Sequence, residues 1–338
     1  MGESMRTGKL AEAVLLHSIL RQLDTETADH ADRYGADCAF LPHKGGCVSA
    51  YTAVSAVPGL AYRPGALAVA AANNLSAAGA QPEALMVHAV LPTDCSEAVL
   101  REDMRGLIRA AKAEGMQVLG GHTQVSSGVK RPMYHVTGIG SAAQQGECGS
   151  ASDLTGVRLL RPGDALVMTK WIALAGTAAL ALSHADELGR RFPVSLLDHA
   201  RAFEQLMSVT KEARAAGSFG SCAMHDLSQG GIFTALWEMA HRAGVGLEVD
   251  LKKIPIRQET VELCEYFDIN PYNLYSAGAL LIGTAQPEGL IAALAEEGVP
   301  AAVIGRATDE NGRVIRNGAE MRFLDRPQQD EWYRRFEE

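Results

Sequence analysis

The chain has no pair of cysteines at C-x-x-C spacing: its six (Cys38, Cys47, Cys95, Cys148, Cys222, Cys264) are scattered along 338 residues. That leaves neither a zinc-site signature nor a disulfide framework. No basic run exceeds a pair of residues, and the formal net charge is −9, which argues against a surface built for nucleic acid. No apolar stretch approaches membrane-spanning length, and the first residues lack the basic-then-apolar order of a signal peptide. The expected setting is therefore cytoplasmic, with no membrane partner. Low-complexity tracts and internal repeats are also missing.

What is present fits an α/β protein. Hydrophobic residues make up 47% of the chain and glycines number 34, a composition with many tight turns. The length predicts two domains. A Ser-, Gly- and Ala-rich stretch at 141–158 marks the boundary, giving an N-terminal domain at 1–150 and a C-terminal domain at 151–338. Residues 1–7 read as a loose tail.

Hydrophobic periodicity places the elements. Leu10, Val14, Leu15 and Ile19 share a helical face. A short strand is expected at 38–41, a strand at 47–57, a small-residue helix at 66–80, a strand at 83–90 and a helix at 96–114. Val118–Val125 reads as a strand crossing into a glycine-flanked loop that carries His122, and Val136–Gly140 closes the first domain. Beyond the boundary come a strand at 165–168, helices near 174–188 and 195–216, a helix at 259–267, a strand at 279–284, a helix at 288–297 and a last strand at 302–305.

The stretch Cys222–Gly246 carries the most chemistry. His225-Asp-Leu-Ser-Gln-Gly-Gly231 is a polar, glycine-ended turn. An amphipathic helix follows at once, with Ile232, Leu236, Met239 and Ala243 on one face. Gly244 and Gly246 stop it, and Leu247–Leu251 alternates like a strand. A glycine turn opening a helix leaves backbone N–H groups and a positive dipole end, which suit an anion such as phosphate. Gly230 and Gly231 would supply the donors, with Asp226 and Ser228 at the mouth. The plainer reading is that Asp226 or Ser228 caps the helix.

HDLSQGG, ALWEMAHRAGVGLEV, Lys253–Arg257 and Tyr275-Ser-Ala-Gly278 together resemble the C-terminal half of the AIR synthase-related superfamily. This superfamily includes aminoimidazole ribonucleotide synthase, thiamine-monophosphate kinase, selenophosphate synthetase and HypE. The turn is similar to that of the HypE-like branch. Further matches run in order from residue 8 to 334: Gly8-Lys-Leu, Asn73–Pro82, Gly120-Gly-His-Thr-Gln-Val125, Thr169–Thr177 and Asp325–Tyr333. The resemblance implies a two-domain α/β (α+β) fold of the AIR synthase-like type, with an N-terminal mixed-sheet domain that dimerises and a C-terminal α/β domain. It also implies homodimers, ATP as phosphoryl donor, and Mg²⁺ on the phosphates. Carried over residue by residue, it makes Lys9 a phosphate contact, although a solvated first-turn lysine explains it equally well. It makes Asp37, Asn74 and Asp226 the metal set. His122 would touch substrate or donate a proton, as an imidazole can; alternatively it is structural.

The departures from the family pattern are one-sided. Ala36, Tyr51, Asn74, Gln124, Ala175 and Gln229 stand where the family or its HypE-like branch has acids. Mg²⁺ takes oxygen ligands, usually with one or two carboxylates, so the surviving set implies at most a weak single-ion site. Tyr51 is expected to fill space that a carboxylate would leave open. The branch's own reaction uses a cysteine at the extreme C-terminus, whereas this chain ends Arg-Arg-Phe-Glu-Glu338. The resemblance thus implies ATP-dependent activation of a small carbonyl or amide other than that maturation substrate. The alternative is a non-catalytic homodimeric binding or partner protein. A transition-metal site on His122 and His225 would rest on isolated histidines.

Overall fold

A computed structural model describes residues 7–22, 34–43, 47–56, 63–143, 157–220 and 222–336. The expected tail at 1–7 and boundary loop at 141–158 fall largely outside them. The chain divides into two compact units. One comprises Asp37–Gly156 and Ser208–Thr210; the other comprises Met1–Ala36, Val157–Met207 and Lys211–Glu338, each taken over its described residues. The first residues therefore group with the C-terminal half, including α1 (Glu12–Ser18).

In the first unit, β1 (Ala39–Pro42) and β2 (Cys47–Ser55) lead into α2 (Gly65–Ala77), β3 (Gln81–Leu91), α3 (Glu97–Ala113), β4 (Gln117–Val125) and β5 (Met133–Ala143). The five-stranded sheet runs β1-β2-β5-β3-β4. Only β3 and β4 pair in parallel. Alternation along β3 decides its faces: Leu85, Val87, Ala89 and Leu91 are buried and cluster with residues of α2 and α3. Met86 and His88 point the other way and are exposed. Ala68, Ala71 and Ala72 on α2 are fully buried, their small size giving the close approach the composition predicts. Ser96 caps α3 by accepting the N–H of Val99.

The second unit holds β6 (Ala165–Thr169), α4 (Leu174–Ser183), α5 (Ala185–Leu188), α6 (Val194–Ala202), α7 (Thr210–Phe219), β7 (Ala223–Asp226), α8 (Gly231–Ala243) and β8 (Gly246–Asp250). Then come α9 (Gln258–Phe267), β9 (Leu280–Thr284), α10 (Pro287–Glu296), β10 (Ala301–Thr308), β11 (Arg313–Asn317), β12 (Glu320–Phe323) and α11 (Glu331–Phe336). The seven-stranded sheet runs β12-β11-β8-β10-β6-β9-β7. Ile232 and Leu236 of α8 pack into one core with Leu166, Met168, Leu281 and Ile304.

Three expectations change. The helix foreseen over 174–188 breaks at His184 into α4 and α5. The one foreseen over 195–216 becomes α6, a 3₁₀ turn at Phe203–Leu206, and α7. Ser208–Thr210 is held instead by the first unit: Asn73 Oδ1 accepts the Val209 N–H at 2.9 Å, and Glu114 accepts from both hydroxyls. Lastly, β10 is not the final strand. β11 and β12 follow it, and the parallel pairing of β11 with β8 supplies what their weak alternation did not signal.

Candidate functional site

The second unit contains the glycine turn. β7 delivers His225 and Asp226 at its end, both buried (6% and 4% exposed). The backbone then passes through Gly230 and Gly231 at φ 80° and 65°, and α8 begins. A Cβ on Gly230 would lie 2.2 Å from Thr234 Oγ1, and one on Gly231 would lie 2.4 Å from the Tyr272 carbonyl oxygen. Both glycines are thus required by the fold before any ligand is considered.

The N-cap position of α8 is Gly230, so neither Asp226 nor Ser228 stands at it. Ser228 contributes its carbonyl instead, which accepts the N–H groups of Gly231 at 3.2 Å and Ser276 at 3.1 Å. The Phe233 N–H donates to the Tyr272 carbonyl. The Gly230 N–H, the expected phosphate donor, points to Asp330 Oδ2 at 2.7 Å. As folded, the chain's own acceptors engage both donors.

Asp330 is 4% exposed and held by backbone N–H groups. Burial pushes its carboxyl up to about 6, and the N–H groups of Gly230, Trp332 and Tyr275 restrain the rise. Tyr275 is itself raised, first by burial and then by the charges of Asp226 and Asp330.

Lys9 belongs to the same unit. Its ammonium donates to both Glu238 oxygens, at 2.9 and 3.1 Å. Glu238 Oε2 lies 3.2 Å from His225 Nε2. A lysine expected to meet phosphate is therefore anchored on a buried carboxylate of α8. Glu238 was missed in the sequence, yet its signal is there: an acid inside the apolar run Ile232–Ala240. Tyr34 lies at the same place, with its ring 5.2 Å from that of His241 and its hydroxyl pushed up by burial and by Glu238.

Asp37 and Asn74 lie in the first unit. The Thr52 hydroxyl donates to the Asp37 carbonyl at 2.8 Å, and Asn74 Nδ2 donates to Thr52 Oγ1 at 2.9 Å. Thr52, which the sequence reading passed over, thus links the Asn74 side chain to the main chain of Asp37. Thr52 faces inward and is 3% exposed, while Tyr51, next on the strand, takes the opposite face. Tyr51 therefore does not fill the space beside Asn74. Among the described residues no group of three or more His, Cys, Asp or Glu is placed to hold a metal ion.

His122 lies within the edge strand β4 rather than in a loop, and it is exposed. It pairs in register with His88, which in turn opposes His135 across the antiparallel ladder. The three rings thus sit in one row on the exposed face of the sheet. His135 Nδ1 meets the Ser55 hydroxyl at 2.9 Å. Among the described residues no helix is long and apolar enough to cross a membrane.

The chain matches the AIR synthase related protein family in both its domains, the N-terminal one over residues 35–142 and the C-terminal one over residues 161–317. It is 29% identical over 250 residues to carbamoyl dehydratase HypE of Rhodobacter capsulatus, covering 72% of this chain and 69% of that protein. Among solved structures, a HypE–HypF complex superposes with a TM-score of 0.73 at 20% identity, over 93% of this chain and 100% of that one. HypE in complex with ATP does so with a TM-score of 0.68 at 20% identity, over 96% and 97%. At that identity the structural likeness establishes the two-domain α/β fold. The ordered motifs, the two matched domains and the HypE relatives together make this chain a member of the AIR synthase-related family, on its HypE-like branch.

Proposed function

We propose that the protein binds ATP and uses it to activate the oxygen of a small carbonyl or amide substrate. The carbonyl oxygen would attack the γ-phosphorus, ADP would leave, and the phosphorylated oxygen would become a good leaving group. The observation that carries this reading is the turn itself: buried Asp226 at a strand end, two glycines, and the N-terminus of α8. The relative named carbamoyl dehydratase and the HypE solved with ATP support the carbonyl and nucleotide parts.

Within the reading, Lys9, Ser228, Gly230 and Gly231 contact phosphate, while Asp37, Asn74 and Asp226 face Mg²⁺. Bound to the triphosphate, Mg²⁺ would neutralise charge developing on the phosphoryl group. His122 is assigned to substrate or proton delivery. A homodimer forming through the first unit is part of the same proposal. The sheet face bearing Met86 (40% exposed) fits a twofold contact, and sedimentation would reveal it.

A second reading, a non-catalytic binding protein, is favoured by the engagement of Lys9 with Glu238 and of Asn74 with Thr52. Calorimetric titration with ATP, with and without Mg²⁺, followed by an ADP-release assay, separates the two. Mg-dependent binding with slow ADP release, both increased in Asn74→Asp, supports the enzyme. Binding without turnover selects the second reading, and absence of binding ends the nucleotide proposal.

A further inference from the structure

The segment after β12 lies across both elements assigned to phosphate in the second unit. Gln329 Nε2 donates to the Thr7 carbonyl and hydroxyl, both at 3.2 Å. The Tyr333 ring stands 3.0 Å from where a Cβ on Gly8 would be. Between them, Asp330 places one oxygen on the Gly230 N–H and the other on the Trp332 N–H, at 2.7 and 2.9 Å. The Glu331 N–H donates to the Asn273 carbonyl, and Arg334 and Arg335 reach the carbonyls of Asp268 and Phe267.

Capping α11 alone does not call for a charge at 330, because asparagine caps a helix as well as aspartate. Burying a carboxylate on backbone donors, without a cation, is costly, as the upward displacement of its titration shows. A negative charge gains at this position from the positive end of α8, the same feature that would attract a phosphoryl group. One N–H cannot serve both anions, and two negative charges at that spacing repel.

We propose that Asp330 is a specificity-determining residue of this turn: its carboxylate occupies the Gly230 donor position in place of an external anion, so that docking of the C-terminal segment and phosphoryl binding exclude each other. This rests on the phosphate reading of the turn. A ligand must displace the carboxylate to enter, which selects strongly charged groups such as a nucleoside triphosphate over singly charged metabolites.

The test uses the full chain. Affinities for Mg-ATP and for inorganic tripolyphosphate are compared between wild type and Asp330→Ser, which retains a capping hydroxyl too short to reach Gly230. In parallel, amide hydrogen exchange at Gly230 and Trp332 is followed in the wild type with and without saturating Mg-ATP. The expected results are at least tenfold tighter binding by the variant and faster exchange at Trp332 in the liganded wild type. Equal affinities, or wild-type binding that leaves Trp332 protection unchanged, overturn the proposal while the phosphate reading stands. Binding by neither protein overturns both. The exchange measurement decides the matter on its own if Asp330→Ser does not fold.

Discussion

In the five-stranded unit, the expected ligands Asp37 and Asn74 are partly exposed and joined through a neutral hydroxyl, Thr52. In the seven-stranded unit, Asp226, Glu238 and Asp330 are each 4–5% exposed. Glu238 is fixed by Lys9 and His225, and Asp330 by backbone donors. The difference shows where acids persist in this chain. Buried carboxylates tied to lysine, histidine or a helix N-terminus hold the structure together, so their loss is expensive. The expected ligands of the first unit, Asp37 and Asn74, stand at partly exposed positions.

The largest test of that contrast is truncation in each unit. Glu238→Ala removes the acceptor of the half-exposed Lys9 and the partner of buried His225 and is expected to cost about 2–3 kcal/mol. Asn74→Ala, which breaks one neutral bond to Thr52, is expected to cost about 1 kcal/mol. Urea unfolding of both variants checks this, and equal losses would erase the distinction.

Next comes pH. The Asp330 carboxyl rises from 3.8 to about 6 on folding, worth about 3 kcal/mol. Below pH 4 both states hold the proton. Between pH 4 and 6 the unfolded chain releases it while the folded chain keeps it, so stability falls as pH rises through this window and is level above it. Asp330→Asn should flatten the slope. Melting temperatures recorded from pH 4 to 7 that decline equally in both proteins would contradict the assignment.

The smallest effect concerns Ala173, which holds φ 55° just before α4. A left-handed alanine is strained. Ala173→Gly is expected to stabilise by about 1 kcal/mol, and calorimetry of the purified variant would show whether it does.

Much of the fold was legible. The apolar spacing of Ile232, Leu236 and Met239 marked α8, and Gly244 marked its end at φ 66°. The apolar run at 83–90 marked β3, and alternation marked β8. The break between α6 and α7 was not legible, because Asn73 and Glu114, which hold Ser208–Thr210, lie about a hundred residues away in sequence. The candidate site was legible as motifs but not as contacts. His122 looked like a loop residue between glycines and proved to be part of an edge strand, since pairing with β3 extends the ladder through Gly120 and Gly121.

The sequence alone determined the family and two-domain fold and the helix after the glycine turn. These rest on local periodicity and on residue identity, which need no partner. Only the tertiary structure decided that Lys9 meets Glu238, that Thr52 joins Asp37 to Asn74, and that Asp330 answers the Gly230 donor from 100 residues away. A buried polar group must find a partner wherever the fold provides one, and that choice is made by packing across the chain.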